Sequence, residues 1–304
     1  MTSMEIAITC LWSLAAAGLA WYCAEIGSQV TYVTLADGRR QTRSIPLLFR
    51  LLLPLAPNVT PLFRKPLFRI FIPRTQAKLV SAGFEGLLAA EDLLAMRLLL
   101  PLLLGPLWIL FMAGMVSMKP DSFIGRIAWL VYLIGPFWLF MYPSFWLQRM
   151  LTARHRAIQR SLPFVLDLLT LSVEAGMDFM SALQRHVERG KVDELGEELV
   201  RVVREIQLGK TRRIALREMS VRVNLQDLRS VINALVQADE LGVSIGSILR
   251  IQADQIRLRR FSRAEKLAHE APVKMLGPLL LFIFPSVFLI LLGPVLARLL
   301  QQGL

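Results

Sequence analysis

At 304 residues, 55% hydrophobic and with a mean hydropathy of +0.51, the chain is too apolar for an ordinary soluble protein. A formal net charge of +12 points to nucleic acid or to an anionic membrane surface. The aromatic residues lie mostly inside apolar runs rather than on a basic face, which argues against nucleic acid and for the membrane.

The first apolar run, Met4–Cys23, is long enough to span a bilayer, which needs roughly 20 apolar residues. No basic residue precedes it and "AWYC" is a poor lipid-attachment signal, so residues 1–23 are expected to form an uncleaved transmembrane anchor. Cys10 and Cys23 both fall in this run. They form no CxxC and no disulfide framework.

Residues 24–96 follow as a basic, proline-punctuated region. Within it, 45–72 is apolar but interrupted by Pro46, Pro54, Pro57, Pro61 and Pro66. Two readings stand. The segment lies on the inner membrane face with Arg50, Arg64, Lys65 and Arg69 at the phosphates, or it is a linker packed on the protein. "RTQAKLVSAGF" at 74–84 reads as a short helix closed by Gly83. Residues 97–147 hold two spans, about Leu98–Met118 and Ile127–Leu147, the latter rich in interfacial Trp and Tyr.

Residues 148–272 carry almost no strand signal. Apolar positions recur at helical spacing, and Gly176, Gly190, Gly209 and Gly242 end periodic runs where a left-handed residue would close a helix. Asp178, Thr211, Asn224 and Ser244 stand where N-caps belong. Six helices are expected, at 161–175, 179–189, 193–208, 212–222, 225–241 and 245–270, forming an antiparallel bundle. A last span, Val273–Leu296 within residues 273–304, is kinked by repeated prolines. The expected fold is therefore all-α: an integral membrane protein of about four transmembrane helices with a six-helix bundle inserted before the last one. Arg and Lys crowd both long regions between spans, so the positive-inside rule puts these in the cytoplasm and both termini outside.

Within the bundle, "EAGMDFMSAL" at Glu174–Leu183 aligns without gaps on "ELGVSIGSIL" at Glu240–Leu249. In each copy a glycine, Gly176 or Gly242, ends one helix, and Asp178 or Ser244 begins the next. Glu174 and Glu240 are unexplained by this grammar, because a carboxylate at a helix C-terminus opposes the dipole. A backbone N–H, an arginine on a partner, or a catalytic role would each account for them. "GVSIG" mimics a nucleophile elbow, but a helix rather than a strand leads into Ser244. His155, His186 and His269 lack metal-ligand spacing, and no phosphate-binding loop is present. "DELGEE" at 193–198 reads as a solvated acidic face or a chelator of a divalent ion. Arg257, Arg259, Arg260, Arg263 and Lys266, in "RLRRFSRAEK", are placed to meet anionic lipid or an acidic partner.

Three stretches carry a family resemblance: "LPFVLDLLTLSVEAGMDFMSAL", "REIQLGKTRRIALREMSVRVNLQDLRSVINALVQADELGVSIGSIL" and "HEAPVKMLGPLLLFIFPSVFLILLGPVL". Together they resemble the F-type platform proteins of type II secretion and type IV pilus machines. "APVKM" before a proline-punctuated span, with "LVSAGF" earlier, is most similar to the TadC branch of the Tad (Flp) pilus system. The resemblance covers about 75–300 and extends to residues 1–70 in topology only. It implies an inner-membrane scaffold of a bacterial cell, without enzymatic activity or cofactor, working in a homo- or hetero-oligomer. The implied partners are a hexameric cytoplasmic secretion ATPase, pilin subunits, membrane lipid and a TadB-like homologue that supplies a second copy of the bundle. Two rivals are a permease subunit that docks a separate ATPase, and a membrane-anchored hydrolase using Ser244.

Overall fold

The computed structural model describes residues 32–34, 40–42, 45–57, 71–118, 128–190 and 193–302. The expected first span Met4–Cys23, with both cysteines, and the 119–126 connection lie outside these. The described chain is helical apart from one short hairpin, in which β1 (Tyr32–Thr34) pairs antiparallel with β2 (Arg40–Thr42), Tyr32 opposite Thr42. The helices are α1 (Leu47–Leu52), α2 (Phe71–Ser81), α3 (Ala90–Met118), α4 (Ala128–Glu174), α5 (Phe179–Arg189), α6 (Glu194–Gln207), α7 (Arg212–Val223), α8 (Gln226–Leu241), α9 (Ile245–Pro278) and α10 (Phe284–Gln302).

Among the described residues, three helical stretches are long and apolar enough to cross a membrane: Ala90–Ser117, Trp129–Glu174 and Ile245–Pro294. They overlap all but the end residues of the second, third and fourth expected spans. α3 and α4 form a hairpin whose close approach requires Gly135. A Cβ there would stand 2.2 Å from Trp108 Nε1. That indole N–H donates to the Val131 carbonyl at 3.1 Å, tying the two spans by a polar contact in an apolar setting. The last span contrasts with this pair, since none of its apolar window is buried. α9 passes into α10 through a π-helical turn, Leu279–Ile283. Pro278 and Pro285 flank it, and the wider turn absorbs the register change that a missing proline N–H imposes.

Residues 45–57 pack on the protein. Phe49 is fully buried and meets Trp146 and Tyr142 edge-on, at centroid distances of 4.9 and 5.8 Å. Leu52, Leu79, Phe84, Leu93 and Leu100 complete this second core at the end of the α3–α4 hairpin. Leu47, Leu48 and Leu55 face outward from it.

The bundle holds the main core. Ile158, Leu162, Val165 and Leu169 form a stripe on α4, and α5 to α9 pack around it through residues such as Leu183, Leu195, Met219, Ile232 and Leu249. The four inner segments, α5 to α8, begin and end within a residue of expectation. The first of the six expected is not a separate helix, however, because α4 runs unbroken from the membrane to Glu174. Residues 148–161 contain Leu, Arg, Ala and Gln and no glycine, so nothing stops the helix at the membrane surface. α9 runs on toward the last span, as expected of the sixth segment. Two local assignments also change. Asn224 does not cap α8. It is the left-handed residue (φ 52°) that closes α7, and Leu225 begins α8 without a side-chain cap. Gly190 is extended rather than left-handed.

Candidate interaction surface and charged joint

The two matching corners lie on the bundle as expected, and they touch. In the first, Gly176 (φ 91°) closes α4: its N–H donates to Val173 and the Met177 N–H to Ser172. Asp178 then caps α5, accepting from the Met180 N–H at 2.9 Å. In the second, Gly242 (φ 68°) closes α8, with the Val243 N–H donating to Ala238. Ser244 begins α9 but its hydroxyl makes no cap hydrogen bond. Gly246 of the second corner packs on the first, and a Cβ there would lie 3.4 Å from Val173 and 3.6 Å from Glu174.

The corner glutamates are balanced by arginines of the same chain. Glu174 accepts from Arg250 at 2.8 Å. Glu240 accepts from Arg217 at 3.2 Å, with Arg213 at 3.9 Å. Arg213 also meets Asp239 at 2.9 Å, and Arg212 bridges Asp239 at 3.0 Å and Asp178 at 3.9 Å. The corners therefore sit within an arginine–carboxylate band that joins α4 to α9 and α7 to α8.

Four of the five cations singled out on α9 are engaged by groups of the same chain, although Arg257, Arg260 and Arg263 stay exposed. Arg257 pairs with Asp167 at 2.5 Å and Asp254 at 3.0 Å. Arg259 and Arg263 converge on Asp227, at 3.3 and 3.1 Å, and Arg260 donates to the Gln159 carbonyl. Asp227 is buried and also accepts from Gln159 at 3.0 Å. Of the five, Arg260 and Lys266 make no ion pair among the described residues, Arg260 reaching only the Gln159 carbonyl.

The acidic run 193–198 is neither a solvated face nor a chelator. Asp193 caps α6 through the Gly196 N–H at 2.7 Å. Glu197 and Glu198 are buried and grip Arg154 of α4 at 3.2 and 2.9 Å. The same guanidinium donates to the Ser81 carbonyl at 3.1 Å, at the end of α2. Glu198 also takes Arg222 of α7 at 3.2 Å, which continues to Glu205 at 3.1 Å. Arg201 extends the chain of charges to Glu85 at 2.5 Å, just beyond α2. That bond holds the Glu85 carboxyl below its ordinary range against the opposing effect of burial. This joint fastens the bundle to the segment leading into α3. Sequence reasoning missed it, although Arg154 stands four residues before Ile158 on the apolar stripe.

The remaining titratable candidates carry no visible chemistry. His155 lies 2.8 Å from the Val223 carbonyl, and His269 sits on an exposed face 3.9 Å from Glu265. Among the described residues no group of His, Cys, Asp or Glu is arranged to hold a metal. Helix α8, not a strand, leads into Ser244, so the nucleophile-elbow arrangement is not formed.

Residues 165–293, running from the α4 core stripe through the bundle into the last span, match the family model for type II secretion system (T2SS) protein F. No curated protein and no solved structure matches the chain.

Proposed function

We propose that this chain is a membrane platform of a secretion or pilus-assembly machine, of the Tad (Flp) type and closest to its TadC branch. On this reading it sits in the bacterial inner membrane with its termini outside. The bundle faces the cytoplasm, receives movement from a hexameric ATPase, and passes it to spans that handle pilin. A TadB-like homologue supplies the second bundle, and the chain itself performs no chemistry. The observation that carries this is continuity. The two helices that flank the bundle, α4 and α9, run into apolar spans without a flexible break. A displacement of the bundle is thereby converted into a displacement of the spans. The protein F match over 165–293 supports the same reading.

The test is photo-cross-linking in intact cells from positions within 174–183 and 240–266, beside a deletion strain assayed for surface pili. Cross-links to the secretion ATPase and loss of pili are expected. A deletion strain with normal pili, or a purified chain that hydrolyses nucleotide unaided, would overturn the proposal.

A further inference from the structure

The segment 45–57, "IPLLFRLLLPLAP", is apolar on the side that packs and on the side that does not. Arg50 is its one charged residue, and it is half-buried. Ile45, Phe49, Leu52 and Ala56 recur at i, i+4, i+7 and i+11, and all four are buried against the protein. Leu47 is 59% exposed, and Leu48 and Leu55, seven residues apart, are 41% and 42% exposed. Pro54 and Pro57 are exposed beside them. A helix lying in water shows polar residues on its outer face, whereas no exposed residue of 45–57 is polar. The segment is also too short to cross a bilayer, which takes roughly 20 apolar residues.

Its height relative to the spans is fixed at two places. Phe49 meets Trp146 and Tyr142 edge-on, at 4.9 and 5.8 Å. Both rings belong to the final stretch of the expected span Ile127–Leu147, within about 7.5 Å of its end at 1.5 Å per residue. Ala56 clusters with Leu94, Ala95 and Leu99, where α3 enters its own expected span at Leu98. The two registers agree. They put 45–57 at the edge of the membrane, at the level where tryptophan and tyrosine rings meet the headgroups.

We infer that residues 45–57 lie in the boundary between headgroups and acyl chains, with Leu47, Leu48 and Leu55 inserted among the lipid tails. The occupant follows from the height. Beside the ends of two spans, an outward apolar side chain meets lipid, and an in-plane helix buries its apolar face about 5–10 Å deep there. Phe49, wedged against Trp146 and Tyr142, pins the segment to the α3–α4 hairpin from the other side. Packing on the protein and lying on the membrane are therefore not alternatives for this stretch. The proposed topology enters only in the choice of leaflet, which is the inner one.

The test uses the full chain with Cys10 and Cys23 replaced by serine and a polarity-sensitive dye on one new cysteine at a time. The positions are Leu48→Cys, Leu55→Cys, Leu110→Cys inside the α3 span, and Leu241→Cys at the second corner. That corner touches Glu174, which lies about 40 Å along α4 beyond Leu147. Each labelled chain is reconstituted in phosphatidylcholine liposomes containing lipids with a nitroxide near the headgroup or near the tail end. Dye at 48 and 55 should be quenched by the shallow nitroxide several-fold more than dye at 241. The deep nitroxide should quench dye at 110 more than dye at 48 or 55. Leu47→Glu with Leu55→Glu should remove most of the quenching at 48, which excludes insertion driven by the dye alone. All these leucines are exposed, so the melting temperature should stay unchanged. Water-like, unquenched emission at 48 and 55 would overturn the inference. So would blue-shifted emission that neither nitroxide quenches (another protein segment or a second copy covers the leucines), or quenching that the two glutamates leave intact. The measurement needs neither pili nor an ATPase, so failure of the platform reading and failure of this inference are separable.

Discussion

Arg250 on α9 donates to Glu174 on α4 at 2.8 Å, and seven residues along each helix Arg257 meets Asp167 at 2.5 Å. The two helices run in opposite directions, so the acids and arginines repeat in register along one seam. Glu174 thus has an intramolecular counter-ion at the helix end where its charge is least welcome. Both side chains of the pair are substantially exposed, at 36% and 65%. Such a pair contributes about 0.2–1 kcal/mol. Glu174→Ala should therefore lower the melting temperature of the solubilised chain only slightly, and Glu174→Arg with Arg250→Glu should restore it. Glu240→Ala, freeing Arg217, should behave alike. If these residues also serve the machine, piliation in cells falls further than protein level does. A parallel fall in both would reduce them to structural pairs.

Arg154 is a different case, because its carboxylate partners are buried with it. Arg154→Ala removes the cation that Glu197 and Glu198 share and leaves Arg222 to hold Glu198, and breaking a buried pair costs about 3–5 kcal/mol. Arg154→Lys should recover part of this, since one ammonium cannot reproduce a planar fork that reaches two carboxylates and the Ser81 carbonyl. Replacing all three with apolar residues of similar volume should cost far less than the single alanine. Thermal unfolding and proteolysis near residues 80–90 would show whether the bundle loosens from α2.

Glu85 and Arg201 make the outer half of the same joint sensitive to acid. Arg201 lowers the folded-state pKa of Glu85 below its ordinary 4.5. The associated stability is therefore fully present above the unfolded-state value and is lost as pH falls through the lowered one. Both partners are about half exposed, so the contribution is discounted to under about 1 kcal/mol. The difference in melting temperature between the natural chain and Glu85→Gln should be constant above about pH 5.5 and shrink toward zero as the carboxylate titrates. A difference that persists unchanged at low pH would mean that the carboxylate contributes no charge-dependent stability.

The second corner lacks a contact that the first one has. Asp178 caps its helix, whereas the Ser244 hydroxyl caps nothing. Ser244→Asp should fold normally and add up to about 1 kcal/mol through a new cap and a favourable dipole term. Gly242→Val should be destabilising, although nothing lies within 4 Å of a Cβ at that position, because φ is 68°. Gly242→Asn should be tolerated better, as asparagine enters the left-handed region more readily. Circular dichroism melts of the three variants would rank them.

Much of the bundle was legible because short-range chemistry fixes helix ends. Gly176, Gly209 and Gly242 each close a helix in the left-handed conformation, and Asp178 and Thr211 each open one. The corner repeat was legible for the same reason. What could not be read depended on distance. Glu197 and Glu198 lie 43 and 44 residues from Arg154, and an acidic run looks solvated until the cation that buries it is found. The α9 arginines read as free because Asp227 and Asp167, which hold three of them, lie 32 to 90 residues away. Asn224 was misjudged because asparagine serves either helix end, and only its left-handed backbone decides which.

The α3–α4 hairpin gives the last prediction, inside the membrane. Hydrophobicity supplies no force between helices in lipid, so close backbone approach and shape must hold them together. Gly135 provides the approach: a Cβ would fall within 2.5 Å of three Trp108 ring atoms. The Trp108 Nε1–Val131 contact provides a polar lock beside it. Gly135→Leu must displace the indole ring or part the helices, and either movement breaks that hydrogen bond. Trp108→Phe removes the donor while leaving an aromatic ring near the glycine, and should cost about 0.6–2 kcal/mol. The double variant should show that the two effects share one contact, costing less than the sum of the singles. Disulfide formation between cysteines placed at Leu104 and Leu139, which line the same groove between the two spans, would report the separation. Cross-linking that proceeds as fast in Gly135→Leu as in the parent would show that the helices do not depend on this approach.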